Sequence, residues 1–286
     1  MKPLEVVKIL VLGRGWLGQR IVRDLPGAFF PSEIDIADRE GVFQLINHTR
    51  PDVVINAAGK TGRPNVDWCE THAELTYRSN VIGALNLAEA CTTLGVYFLH
   101  LGSGCIFNGP RPTQFGSYSR RWREDDYANP ESFYARTKYA ADLVLSQLPN
   151  VAVARLRMPI DSTPHPRNLI TKLAGYKQIV DVQNSVTVVD DLLAVLHALI
   201  EQRATGIFHA CNPGAVSHRE IMSLYRELVD PASSPEWIRE NELQSRGLAV
   251  APRSNCVLAD TRLGELGIEM RPALEAVRDV LTRYVR

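Results

Sequence analysis

Apolar residues in this chain fall in short unbroken runs, separated by longer stretches in which they recur every three or four positions. That is the pattern of strands buried on both faces alternating with amphipathic helices. The first run, residues 6–12, is rich in β-branched side chains and reads as a strand. Gly13-Arg14-Gly15-Trp16-Leu17-Gly18 follows it, and then a helix carrying Ile21, Val22 and Leu25 that Pro26-Gly27 closes. Residues 28–30 form a short second strand. Asp38 caps a helix with Val42, Leu45 and Ile46 on one face, and Arg50-Pro51-Asp52 turns the chain into a third strand at 53–56. A longer helix from about Glu74 presents Val81, Leu85, Ala88 and Cys91 and stops at Gly95, before a fourth strand at 96–101.

The stretch 102–132 is irregular and polar, as substrate-facing loops are where they leave strand ends. A helix over 132–148 and a strand over 151–156 restore the alternation, which weakens beyond that point; 184–187, 206–213 and a helix over 217–228 stand out. The pattern predicts an α/β fold, a Rossmann-like doubly wound parallel sheet with a smaller C-terminal substrate lobe. The lobes divide at 1–160 and 161–286 and, with no low-complexity linker between them, are interleaved.

Composition narrows the function classes. With 32 basic and 32 acidic residues the formal charge is zero, and no basic cluster interleaves with aromatics, so neither nucleic acid nor an anionic membrane is the expected partner. The apolar run at 6–12 is too short for a membrane span and lacks a cleavage pattern, which points to a cytosolic protein. Cys69, Cys91, Cys105, Cys211 and Cys256 are odd in number and scattered, so reduced thiols are expected; the seven histidines form no metal motif, and no metal is expected.

Three features carry chemistry. Gly13-x-Gly15-x-x-Gly18 between a buried strand and a helix lets backbone approach a pyrophosphate at a helix N-terminus, the pattern of a dinucleotide site. No acid ends the second strand, where Pro31, Ser32 and Glu33 follow instead. Arg14 suits bidentate contact with a 2′-phosphate, which favours NADPH and leaves NADH open, the alternative being a solvated surface arginine. Tyr134-Ala135-Arg136-Thr137-Lys138 places a phenol and an ammonium on one helix face, where the cation stabilises the phenolate and lets the pair exchange a proton with a carbonyl; such pairs are also common on exposed helices. Ser103, in Gly102-Ser103-Gly104-Cys105, sits at a strand's C-terminal end and completes a Ser-Tyr-Lys set.

These residues belong to longer stretches: Asn56-Ala57-Ala58-Gly59, Thr61-Gly62-Arg63-Pro64-Asn65-Val66-Asp67-Trp68-Cys69-Glu70, Gly104-Cys105-Ile106-Phe107, Arg157-Met158-Pro159-Ile160, Pro166-Arg167-Asn168-Leu169-Ile170-Thr171-Lys172, Asn212-Pro213-Gly214 with Val216-Ser217-His218, and Ala251-Pro252-Arg253-Ser254-Asn255. In them the chain resembles the extended short-chain reductases of the dTDP-4-dehydrorhamnose reductase group, and within it the bifunctional nucleotide-sugar 3,5-epimerase/4-reductases.

The resemblance implies a UDP- or dTDP-linked 4-keto-6-deoxyglucose substrate, inverted at C3 and C5 and reduced at C4. It assigns Ser103, Tyr134 and Lys138 to reduction, and Cys105 as base and Lys172 as acid to epimerisation. Candidate cofactor contacts are Gly13, Arg14, Gly15, Trp16, Leu17, Gly18, Asp35, Ile36, Ala57, Ala58, Gly59, Tyr134, Lys138 and Met158. Candidate substrate contacts are Arg63, Asn65, Asn168 and Arg253, and a homodimer is common in the family. Two other readings stay open: a reductase without epimerase activity, in which Cys105 is packing, and a non-catalytic subunit that binds dinucleotide.

Overall fold

The structure, a computed structural model, describes residues 7–112, 118–119 and 121–284. The predicted strand start at Val6 and part of the 102–132 loop lie outside them. Six parallel strands make the central sheet: β1 (Ile9–Leu12), β2 (Ala28–Phe29), β3 (Val53–Asn56), β4 (Tyr97–Ser103), β5 (Val151–Leu156) and β6 (Gly206–His209). Their order across the sheet is β6-β5-β4-β3-β1-β2.

Because successive side chains of a strand point to opposite faces, each unbroken apolar run feeds two cores at once. Ile9, Val11, Val53, Ile55, Leu99 and Ala152 face one side, where they meet Ile21 of α1 (Trp16–Asp24) and Leu192, Leu196 and Leu199 of α6 (Val189–Gln202). Leu10, Leu12, Val54, Phe98, Val151 and Val153 face the other, against α2 (Arg39–Thr49), α3 (Gly83–Leu94) and α4 (Phe133–Leu145). Fully burying such side chains contributes roughly 1.5–3 kcal/mol each, which makes the sheet the rigid part of the molecule.

A separate apolar cluster gathers Ile170 and Leu173 of α5 (Leu169–Gly175), Ile221 and Tyr225 of α7 (His218–Leu228), and Val277 and Val280 of α8 (Ala273–Thr282). Between α5 and α7 the chain returns to the first sheet to supply α6 and β6. Helices α5, α6 and α8 have no counterpart in the sequence reading. A short strand, Thr187–Val188, runs directly into α6, and with Val188 at the helix start no polar cap marks the junction.

Arg20 ties α1 to α6 and to the chain just past β5. Nearly buried, it bonds Asp24, Asp161 and Asp190, and these carboxylates raise its affinity for its proton against the cost of burial. Removing one partner of a buried ion pair strands the others, so Arg20→Met is expected to lower stability by about 3 kcal/mol. Urea unfolding of the variant checks this; an unchanged midpoint would remove Arg20 from the set of stabilising contacts.

The predicted helix from Glu74 is three segments: Ala73–Tyr77, a π-helical turn Arg78–Ile82, and α3. Such turns insert an extra residue and are frequent at functional sites. Here the extra residue turns Asn80 inward, where it bonds both the N–H and the carbonyl of Lys60 (2.7 and 3.0 Å) and the Thr137 hydroxyl (3.1 Å).

Candidate active site

The connection from β1 runs to β2 at the sheet edge, and the next one crosses back to β3 on β1's other side. The loops after β1 and β3 therefore diverge and leave a crevice at the carboxyl ends of the strands, where ligands bind in open α/β sheets.

The loop after β1 is the glycine turn. Gly13 has φ +104°, and a Cβ there would lie 2.3 Å from the Ala58 nitrogen in the loop after β3. A Cβ on Gly18 would lie 1.9 Å from the Gly13 carbonyl oxygen, whereas one on Gly15 meets no protein atom within 4 Å. Gly15 precedes α1 with no side-chain cap, so the first N–H groups of the helix, from Trp16 and Leu17 onward, face the open ground beside Gly15. This arrangement fits a pyrophosphate. Arg14 reaches over the end of β2, with its guanidinium 5.0 Å from the Phe30 ring centre and bonded to the Pro31 carbonyl.

The loop Ala57–Gly59 lies against Gly13, and Asn80 holds the next residue, Lys60, by its N–H and carbonyl. Exposed Asp35 pairs with Arg78 at 3.5 Å. The Ile36 side chain is buried beneath Gly83 and its carbonyl accepts from Asn86. Met158, two residues past β5, has φ +42°, a backbone conformation rare outside glycine.

Tyr134 is fixed by the start of α4. Ser132 caps the helix through Ala135 N–H (3.2 Å), and Glu70 accepts from Phe133 N–H (2.8 Å), so two acceptors from distant sequence set the first turn. Burial raises the pKa of the phenol, the Cys105 thiol raises it further, and the Ser103 hydroxyl pulls the other way. One turn on, Lys138 Nζ donates to the Leu101 carbonyl at 2.9 Å and meets His100 Nε2 at 2.8 Å. Ser103 ends β4; its Oγ accepts from the Cys105 N–H at 3.2 Å and its hydroxyl bonds Tyr134, so Ser103, Cys105 and Tyr134 form one group, with Lys138 one helical turn on.

Arg157, just past β5, is fully enclosed and donates from Nη1 to Cys105 Sγ at 2.9 Å. Its Nη2 bonds Asn184 (2.6 Å) and the Ser254 carbonyl, which fixes the fork. Lys172, on the last turn of α5, feels Cys105 electrostatically; burial lowers its pKa, and Arg167 and Arg253 lower it further. Arg167 in turn is lowered by burial and by Arg63, so Arg63, Arg167, Lys172 and Arg253 gather as mutually repelling cations.

Arg253 is anchored by a two-pronged bond to Asp67 (2.7 and 2.6 Å) and lines a hollow with Glu240, Leu243 and Pro252. Asn65 accepts from the Asp67 N–H at 2.8 Å and so shapes that loop. Asn168 is a correction. Fully buried, its amide accepts from Ile170 N–H and donates to the carbonyls of Asp161 and Thr163 (2.7 and 3.0 Å), leaving no donor for a sugar. It caps α5 and so places Lys172. Arg157, Arg167, Asn80 and His100 were not singled out from sequence as site residues.

Residues 7–285 match the family model described as the RmlD substrate binding domain. The chain belongs to that family. Among RmlD-type relatives, a bifunctional dTDP-4-dehydrorhamnose 3,5-epimerase/dTDP-4-dehydrorhamnose reductase of Arabidopsis thaliana is 39% identical over 252 residues, 87% of this chain and 81% of the relative. A trifunctional UDP-glucose 4,6-dehydratase/3,5-epimerase/reductase of the same plant is 36% identical over 97% of this chain, which spans 41% of that longer protein. The crystal structure of the UDP-rhamnose synthase of Acanthamoeba polyphaga mimivirus superimposes with a TM-score of 0.88 at 29% identity, covering 97% of this chain and 99% of that one.

Proposed function

We propose that this protein inverts C3 and C5 of a UDP- or dTDP-linked 4-keto-6-deoxyglucose and reduces its C4 carbonyl with NADPH. The observation that carries the reading is the contact of Arg157 with Cys105 beside Tyr134 and Lys138, which brings proton-abstracting and carbonyl-reducing groups to one strand end. The relatives named for these activities support it.

Gly13, Gly15, Gly18, Ala57 and Ala58 would hold the dinucleotide, and Arg14, beside the end of β2, would meet a 2′-phosphate. When bound, it supplies the hydride for C4. The cations Arg63, Arg167 and Arg253 suit the diphosphate of the sugar nucleotide, because an anion relieves their mutual repulsion. Hydrogens on carbons beside the ketone are acidic since the resulting anion delocalises onto its oxygen. Cys105 removes such a proton, and Lys172 returns one on the opposite face of the ring, as inversion requires. Tyr134 then protonates the C4 oxygen, Ser103 donates a hydrogen bond to it, and Lys138 stabilises the phenolate left behind.

The test is NADPH oxidation with both nucleotide ketoses in heavy water, the products read by NMR. Deuterium at C3 and C5 with a reduced C4 is expected. Oxidation without exchange would leave a reductase alone, and neither, from folded protein, would overturn the reading. The glycine turn gives a second check. Gly13→Ala is expected to cost roughly 1–3 kcal/mol of stability, since its backbone is in the left-handed region. Gly15→Ala is expected to weaken NADPH binding with an unchanged melting temperature, because its Cβ would occupy only the open space beside α1.

A further inference from the structure

The chemistry proposed above uses Lys138 as a cation, yet the hydrogen bonds behind it are arranged for an amine. Asn56, at the end of β3 and buried, accepts the Ala58 N–H on Oδ1 at 3.0 Å. That bond orients the amide, because only an oxygen can accept it. Asn56 Nδ2 then faces His100 Nδ1 at 3.0 Å. An amide nitrogen only donates, so Nδ1 must carry the lone pair, and a neutral imidazole with that tautomer has its proton on Nε2.

His100 Nε2 lies 2.8 Å from Lys138 Nζ. An ammonium has three donors and no acceptor, so it would meet the Nε2–H donor to donor, whereas the lone pair of an amine accepts it. The remaining contact of Nζ, the Leu101 carbonyl at 2.9 Å, is satisfied by either form. An imidazolium fails as well, since it would point an N–H at the amide of Asn56.

We propose that Asn56 and His100 are positioning residues that make the neutral amine the matched form of Lys138 in the free protein, and that couple its protonation to the Ala58 N–H at the glycine turn. To charge Lys138, one proton enters Nζ from solvent, the imidazole proton moves from Nε2 to Nδ1, and Asn56 turns its oxygen toward it. The Ala58 N–H then loses its acceptor. Ala58 is the residue whose nitrogen packs on Gly13, so the charge of the lysine and the backbone of the crevice become linked.

The electrostatic surroundings agree. Burial pushes Lys138 down to about 8, with the Asp142 carboxylate opposing it from the same helix. Asp142 is itself engaged by Arg155 of β5 at 2.8 Å, which blunts its pull on Lys138. Burial holds His100 well below the ordinary imidazole value, and Lys138 adds to that. From β4 the groups facing Nζ are His100 and the Leu101 carbonyl, and Asn56 of β3 stands behind His100.

The inference rests on the reductase reading only for its kinetic consequence, since the tautomer is measurable without substrate. In protein labelled with 15N-histidine, two-bond correlation spectra at pH 8.5 are expected to show His100 protonated at Nε2, with His100→Gln identifying its signals. Asn56→Asp places a carboxylate that accepts from Ala58 N–H and from an imidazole Nδ1–H together, so His100 is expected to switch to the Nδ1–H form in that variant. It is also expected to move the alkaline decline of NADPH-dependent reduction upward by at least about one pH unit, tenfold in proton affinity. An Nδ1–H tautomer in the unaltered protein at pH 8.5 would overturn the proposal. Should the protein reduce no ketose, the spectra still decide it, and should Asn56→Asp not fold, the tautomer of the unaltered protein does.

Discussion

Tyr134→Phe is expected to slow reduction of the nucleotide-linked ketose by ~10²–10⁴-fold, with NADPH affinity changed by no more than a few-fold. The substitution removes a hydroxyl and keeps the ring that packs at the start of α4, so the helix and its caps at Ser132 and Glu70 stay in place. Burial and the nearby Cys105 raise the phenol's pKa, which keeps the proton on oxygen at neutral pH and so available to the C4 oxygen as charge develops there. Stopped-flow NADPH oxidation at saturating substrate separates this loss in kcat from any change in KM. Full retention of kcat would take Tyr134 out of the proton transfer.

Cys105→Ser is expected to abolish solvent exchange at C3 and C5, a loss of at least ~10²-fold, while reduction of an already epimerised ketose proceeds nearly unchanged. A thiol as a class ionises far more readily than an alcohol, and serine keeps a group that can accept the hydrogen bond Arg157 donates to Sγ. Deuterium incorporation measured on the substrate pool reads the exchange directly. If exchange persists, Cys105 is packing and another base acts. The partner acid shows its role through pH. Burial and Arg167 hold Lys172 below an ordinary lysine, so its acid form is present at low pH and lost as pH rises through that lowered value. The exchange rate is therefore expected to decline on the alkaline side earlier than an ordinary lysine would allow.

Much of this site was legible because some of its chemistry is written in short-range spacing. A glycine turn between a strand and a helix, a Tyr and a Lys one helical turn apart, and a serine at a strand end are local patterns, and the structure keeps each in its predicted element. Other parts were hidden by the same logic. Asn80 enters the site through a π-helical turn, which adds a residue and shifts the helical face, so that a regular period reads straight through it. Asn168 stands beside site residues, yet its amide is spent on capping α5 and on two nearby carbonyls.

The sequence by itself determined the alternation of buried strands and amphipathic helices, the glycine turn and the Tyr-Lys face, since each depends on residues within about one or two turns or strands of each other. Only the tertiary structure decided that Arg157 touches Cys105 across 52 positions, that His100 stands between Asn56 and Lys138 at separations of 44 and 38, and that Asp67 holds Arg253 across 186. Those pairings follow from strand order and from the way the loops diverge at the crevice. No local period encodes them, because a buried charge or imidazole takes its partner from whatever the fold brings within reach.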